Sequence, residues 1–248
     1  MLDQDAKIPQ PDFAGLIPTM NKMGWMTANL DPISEEFTSY AGKSSEWVLD
    51  IGAAYGIATL GALKRGAKVI ANDADPRHLE LLMAKVPADK KRDLRLMPGF
   101  FPQDIQLAPG SVSGILSCRV FHFLTGQQIT EALKRCHELL QSHGKLFVIV
   151  DTPYLGWLKG LEEEYESRVA QNWPWPGEFQ HVHNYSDNAM SRGVPEFIHL
   201  FTANSLSQVL TNNDFRVEKW QYIDRKGVYP NFACKDGRES LGMIASKQ

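Results

Sequence analysis

Apolar residues recur in two registers along this chain, and the switch between them divides it. From residue 46 onward, strand-length apolar runs alternate with stretches in which apolar positions return every three or four residues. The runs predict strands near 47–51, 68–72, 93–97, 112–118 and 145–151, and the periodic stretches predict helices near 57–65, 76–86 and 126–141. The last helix is the clearest. Thr125 and Gln128 have capping-box spacing, Ile129, Leu133, Cys136 and Leu140 form one stripe, and Gly144 stops it. Strands separated by helices imply crossover connections and a mostly parallel, buried sheet.

Residues 1–45 hold four Pro and three Gly and no sustained strand pattern, with a helix expected near Ile33–Tyr40 behind the start signal Asp31-Pro32. They are expected to form a helical or lid segment. Residues 46–248 are expected to form one domain, with 153–200 inserted as a cap rich in aromatics, Pro and His. After the insertion, Thr202 to Leu210 reads as a helix, and Phe215–Ile223 and Ser240–Ser246 read as strands. The gap between those strands holds no crossover helix, so they should pair antiparallel at a sheet edge.

Chemistry concentrates at the first strand-to-helix turn, Val48-Leu49-Asp50-Ile51-Gly52-Ala53-Ala54-Tyr55-Gly56. Asp73 follows about twenty residues later, at the end of the second apolar run. A small-residue turn lets a nucleoside approach backbone N–H groups, and the distant acid can accept from ribose hydroxyls. A dinucleotide fingerprint anchored at Gly52 would need Gly at 54 and 57, where the chain has Ala54 and Ile57. Asp75-Pro76 needs no ligand, since it reads as an N-cap and first helical residue.

The turn instead resembles motif I of the class I S-adenosylmethionine-dependent methyltransferases, D-x-G-x-G-x-G, with Ala54 in place of the middle Gly. Ala there is inexpensive if its φ stays negative. Later segments resemble the small-molecule members of that family in order and spacing. They are Phe121-His122-Phe123-Leu124, Leu139 to Leu146, and Phe201 to Leu206 followed by Asn213-Asp214-Phe215. The resemblance implies a doubly wound, mostly parallel seven-stranded sheet with an antiparallel C-terminal edge hairpin. It also implies S-adenosylmethionine as cofactor, with S-adenosylhomocysteine as product. Gly52, Ala53 and Gly56 would lie beneath the methionine part, Asp73 with Ala74 at the ribose, and Arg119 beside the cofactor. Asp50 would orient the turn or reach the cofactor amino group through water; the alternative is a plain strand-end acid.

The family often carries an acid after the third strand to read the adenine amino group. Here Met97-Pro98-Gly99-Phe100-Phe101-Pro102-Gln103-Asp104 has none in that place, and Asp104 is too far along. Phe100 or Phe101 could pack on the adenine, or both could be core residues. His122, after the fourth strand, is the candidate base or acceptor-orienting residue, with a structural histidine as the alternative. His181 and His183 are further candidates from the insertion. No third ligand sits at metal-site spacing, so no metal is expected. Asp151-Thr152-Pro153-Tyr154 resembles the D/N-P-P-Y motif of amino-group methyltransferases but follows the wrong strand. Trp25, Tyr154, Trp173, Trp175, His181, His183 and Tyr185 are expected to close over an apolar substrate pocket. The same aromatics would alternatively serve a homodimer contact.

Composition narrows the partners. Of 248 residues, 43% are hydrophobic and 22% charged, with net charge −3 and scattered Lys and Arg, which speaks against nucleic acid. No apolar run reaches membrane-spanning length, and Met1 to Ala6 is acidic where a secretion signal is basic. Cys118, Cys136 and Cys234 read as reduced thiols of a cytoplasmic protein. The expected activity is methyl transfer to an O or N atom of a small organic acceptor. Two alternatives stand beside it. One is a methyltransferase-like binding or partner subunit without catalysis. The other is an NAD(P)-dependent oxidoreductase, for which a Tyr-x-x-x-Lys is missing, since Leu158 and Val169 stand four residues after Tyr154 and Tyr165.

Overall fold

The computed structural model describes residues 7–12, 15–188 and 193–248. The acidic start, Met1 to Ala6, and residues 189–192 of the insertion lie outside them. Seven strands make one sheet: β1 (Trp47–Ile51), β2 (Lys68–Asp73), β3 (Leu94–Pro98), β4 (Val112–Cys118), β5 (Leu140–Asp151), β6 (Phe215–Ile223) and β7 (Ser240–Lys247). Their spatial order is β3-β2-β1-β4-β5-β7-β6. The first five are parallel, and β7 runs antiparallel between β5 and β6. The expected doubly wound sheet with its C-terminal edge hairpin is therefore present.

Six α-helices accompany it: α1 (Pro32–Ala41), α2 (Ile57–Lys64), α3 (Pro76–Lys85), α4 (Gly126–Leu139), α5 (Leu161–Ala170) and α6 (Ala203–Thr211). Local chemistry sets their starts. Asp31 accepts from the Ile33 and Ser34 N–H groups, Asp75 from Arg77, and Thr125 and Gln128 close the capping box of α4. Strands β1, β2 and β4 are buried on both sides because helices cover both faces. Side chains of α4 and α6, among them Ile129, Leu133 and Leu206, fill one face. Side chains of α1, α2 and α3, among them Phe37, Ala62 and Leu82, fill the other.

Helix α4 ends at Leu139, two residues before the expected end, because Leu140 already pairs with Val112 as the start of β5. Helix α5 inside the insertion has no counterpart in the apolar pattern, since only Leu161 and Tyr165 of its ten residues are buried. A third apolar cluster forms the cap. Leu16 from the N-terminal segment, Trp157, Leu158 and Phe179 from the insertion, and Tyr229 and Ala233 from the β6–β7 connection pack together. No helix among the described residues is long and apolar enough to cross a membrane.

Candidate active site

A cavity of about 720 Å³ lies between the carboxyl ends of β1, β2, β4 and β5 and this cap. Open α/β sheets bind ligands at that edge, where the strand order reverses between β1 and β4. The volume suits a nucleoside and a small second molecule together.

The β1–α2 turn is shaped by contacts that exclude side chains. Gly52 has φ +67°, and a Cβ there would stand 2.4 Å from Val120 Cγ2; at Gly56, φ +78°, it would stand 2.1 Å from Leu82 Cδ1. Gly56 also begins α2 with no side-chain cap, so the first N–H groups of the helix remain open to a ligand. Ala54 corrects one expectation. Its φ is +47°, in the left-handed region, not negative. The conformation aims its N–H at Asp73 Oδ2, 2.8 Å away.

Asp73 ends β2 and is held from three sides. Besides Ala54, the Asp75 N–H donates to Oδ1 at 2.8 Å, and His78 Nδ1 lies 3.0 Å from the same oxygen. His78 Nε2 accepts the Met20 N–H at 3.0 Å, which assigns the ring proton to Nδ1. Oδ2 has one protein donor and keeps acceptor capacity for a ligand hydroxyl. Asp75 serves as the N-cap of α3, as its sequence context implied. Asp50 lies one strand over, buried, with Thr59 Oγ1 donating to Oδ2 at 2.7 Å. Burial pushes its carboxyl up to about 7, against the Thr59 hydrogen bond.

After β3, Phe100 is 67% exposed and Phe101 packs against the core; both line the cavity, and neither is a wholly internal residue. Asp104 turns back to accept the Phe100 N–H at 2.8 Å and does not face the cavity. Asn72 steadies this loop by donating to the Met97 and Gly99 carbonyls.

Across the sheet edge, His122 sits on a short turn after β4, buried, its ring edge-on to Phe123. Its Nδ1 lies 3.4 Å from Asp151 Oδ2 at the end of β5, within ion-pair range but without a hydrogen bond. Ser240 Oγ donates to Asp151 Oδ1 at 2.7 Å, and Tyr229 Oη is 3.5 Å from that oxygen. Burial alone would raise Asp151, but His122, Arg119 and Arg225 outweigh it and hold the carboxyl well below the usual carboxylate range. Sequence reading missed Asp151 as the partner of His122. The available signal was an acid at the carboxyl end of the strand beside the one that carries the histidine.

The cap residues divide. Trp25 lines the cavity, joined by Trp157, Phe197 and Ile198. Tyr154, Trp173, Trp175, His181, His183 and Tyr185 do not. Tyr154 lies under the Arg238 guanidinium and against Tyr222. Trp173 is half exposed beside Arg168, and Trp175 packs on His199. Tyr185 donates to Glu164, His183 is held by Glu196 and the Val194 carbonyl, and His181 is largely exposed near Glu196. Among the described residues no cluster of His, Cys, Asp or Glu suits a metal ion, and the three cysteines are free thiols.

Residues 48–144, which carry this turn, Asp73 and His122, match the protein family described as a methyltransferase domain. No curated protein matches the chain. Solved structures do, at low identity. An S-adenosylmethionine-dependent methyltransferase from Methanosarcina mazei is 15% identical over 88% of this chain and 98% of its own, with a TM-score of 0.61. One from Mesorhizobium loti is 16% identical over 86% and 98%, also at 0.61. The 1,6-didemethyltoxoflavin-N1-methyltransferase of Burkholderia thailandensis, solved with 1,6-didemethyltoxoflavin and S-adenosylhomocysteine, is 20% identical over 88% and 77%, at 0.60. Residues 48–144 thus match a methyltransferase domain, and the chain shares its fold with S-adenosylmethionine-dependent methyltransferases of known structure.

Proposed function

We propose that the chain transfers a methyl group from S-adenosylmethionine to an O or N atom of a small organic molecule. The observation that carries this reading is one continuous cavity with Asp73 at one end and the His122–Asp151 pair at the other. Strands lie about 4.8 Å apart, so β2 and β5, three steps apart, set these groups about 14 Å from each other. That span accommodates an adenosine and an acceptor placed end to end.

S-adenosylmethionine supplies a methyl group already activated on a positively charged sulfur, which departs as neutral S-adenosylhomocysteine. Asp73 Oδ2 receives a ribose hydroxyl, the open start of α2 and the turn from Gly52 to Gly56 receive the methionine part, and Phe100 covers the adenine. Asp151 orients His122 through Nδ1 and leaves Nε2 to take the proton that a hydroxyl or N–H acceptor must release. Trp25, Trp157 and Phe197 keep water out while the acceptor is aligned behind the methyl carbon, and such alignment can supply roughly 7–11 kcal/mol. The 1,6-didemethyltoxoflavin bound to the Burkholderia thailandensis enzyme and the apolar walls both support a small organic acceptor over a nucleic acid.

A screen of phenols, catechols and heteroaromatic amines with S-adenosylmethionine should yield S-adenosylhomocysteine and a methylated product with at least one protic acceptor. Asp151→Asn should lower kcat for that acceptor roughly a hundredfold or more. Undiminished turnover in Asp151→Asn would remove the base assignment.

A further inference from the structure

Arg119 lines the cavity and is a cation that the proposed transfer does not use. Arg119 leaves β4 with φ +57°, its N–H held by the Ile149 carbonyl at 2.7 Å, and this left-handed turn sends the side chain over the ends of β4 and β5. Its guanidinium donates from Nη1 to Tyr229 Oη and from Nη2 to the Trp25 carbonyl, both at 2.6 Å. Neither oxygen is charged, and among the described residues no carboxylate forms an ion pair with it. A guanidinium carries five donors, so the fork is only partly satisfied.

The carboxylates on this side are committed elsewhere. Asp151 is shared by His122 and Ser240. Glu239 accepts backbone N–H groups of Arg225, Lys235, Asp236 and Gly237. Asp31 caps α1. A second guanidinium, Arg225, is buried behind Asp151 and donates to Ser240 Oγ at 2.9 Å. His122, Arg119 and Arg225 thus all act on the single carboxylate of Asp151. A guanidinium that shares its counter-charge and keeps open donors is a ready partner for a carboxylate that a ligand brings.

We propose that the acceptor is a small aromatic carboxylate, its carboxyl group held by Arg119 and Tyr229 and its hydroxyl or ring N–H presented to His122. The proposal rests on the methyl-transfer reading and names the substrate class of that same site. A planar fork pairs with a carboxylate through two parallel hydrogen bonds, which Lys could not reproduce. Trp25, Trp157 and Phe197 supply ring-sized apolar walls beside it. The chain Arg119–Tyr229–Asp151–His122 sets both ends of such a molecule: its charged group at the first residue and its reacting atom at the last. The acceptor's proton passes to His122 Nε2, a bond forms between the acceptor atom and the methyl carbon as the methyl–sulfur bond breaks with its electron pair left on the sulfur, and the carboxylate stays on Arg119 unchanged. Arg119 is thereby an acceptor-positioning group, not the cofactor contact that the resemblance implies.

Calorimetric titration of the protein loaded with S-adenosylhomocysteine tests this, using 2-, 3- and 4-hydroxybenzoate and the matching hydroxybenzamides. At least one carboxylate should bind about tenfold or more tightly than its amide, the scale expected for a charge-assisted pair. Arg119→Gln should bring that ratio close to one and leave S-adenosylhomocysteine affinity unchanged. Equal binding of every acid and amide by the wild-type protein, or no binding of any acid, overturns the proposal without recourse to the variant. So does an Arg119→Gln variant that loses S-adenosylhomocysteine affinity and keeps the ratio. Failure of the wild-type protein to bind S-adenosylhomocysteine at all would instead remove the methyl-transfer reading beneath it.

Discussion

Ala54 shows how a single position trades local strain for a site contact. An L-residue in the left-handed region costs about 1–2 kcal/mol, and Ala54 bears that cost while its N–H fixes Asp73 Oδ2. Ala54→Gly removes the strain at the expense of a looser unfolded chain, so it should raise unfolding stability by up to about 1 kcal/mol in urea melts. Asp50 has a pH signature. Its carboxyl ionises near the ordinary 3.8 in the unfolded chain and near 7 in the fold, so the folded state holds the extra proton between those values. Its contribution to stability is therefore present below about pH 4 and lost as pH rises toward 7. Asp50→Asn should flatten the stability–pH curve over that window, and an unchanged slope would contradict the assignment. Phe100 is exposed, so Phe100→Ala should leave the melting temperature alone while weakening S-adenosylmethionine binding about tenfold, as loss of one aromatic stacking partner does.

At the scale of elements, the insertion is fastened to the start of α4. Glu178 accepts the Gly126 N–H at the positive end of α4, His199 Nδ1 contacts the Leu124 carbonyl, and the Trp175 ring lies where a Cβ on Gly126 would stand, 1.9 Å from Cε2. Gly126→Ala should displace Trp175, cost about 1–3 kcal/mol, and speed hydrogen exchange in residues 174–180. Acceptor KM should rise while S-adenosylmethionine affinity holds, because the turn at Gly52 belongs to a different part of the sheet. These contacts explain why the cap aromatics were misread from sequence. A Trp-Pro-Trp-Pro segment does not say which of its rings finds a partner: Trp175 packs at Gly126, while Trp173 stays half exposed. Helix α5 was hidden for a related reason, since three consecutive Glu at its start leave almost no apolar stripe.

At the scale of the whole molecule, the sheet is what sequence reads best. Parallel strands buried on both faces announce themselves as short Val, Ile and Leu runs, and the bounds of β1 and β4 match expectation residue for residue, as do those of the antiparallel edge strand β6. The grouping of Gly52, Gly56 and Asp73 at one sheet edge is equally legible, since they lie in one β-α-β unit where spacing carries geometry. The grouping of Asp151, Tyr229 and Trp25 with His122 and Arg119 was not, because these residues meet only through tertiary packing across β4, β5 and the cap. The most direct measurement is calorimetric titration of the wild-type protein and Asp73→Ala with S-adenosylmethionine and with NAD. The wild-type protein should bind S-adenosylmethionine and give no heat with NAD, and Asp73→Ala should bind the former at least about tenfold more weakly, as expected when a charge-assisted hydrogen bond is lost. Binding of NAD, or an Asp73→Ala variant that binds S-adenosylmethionine as the parent does, would contradict the assignment.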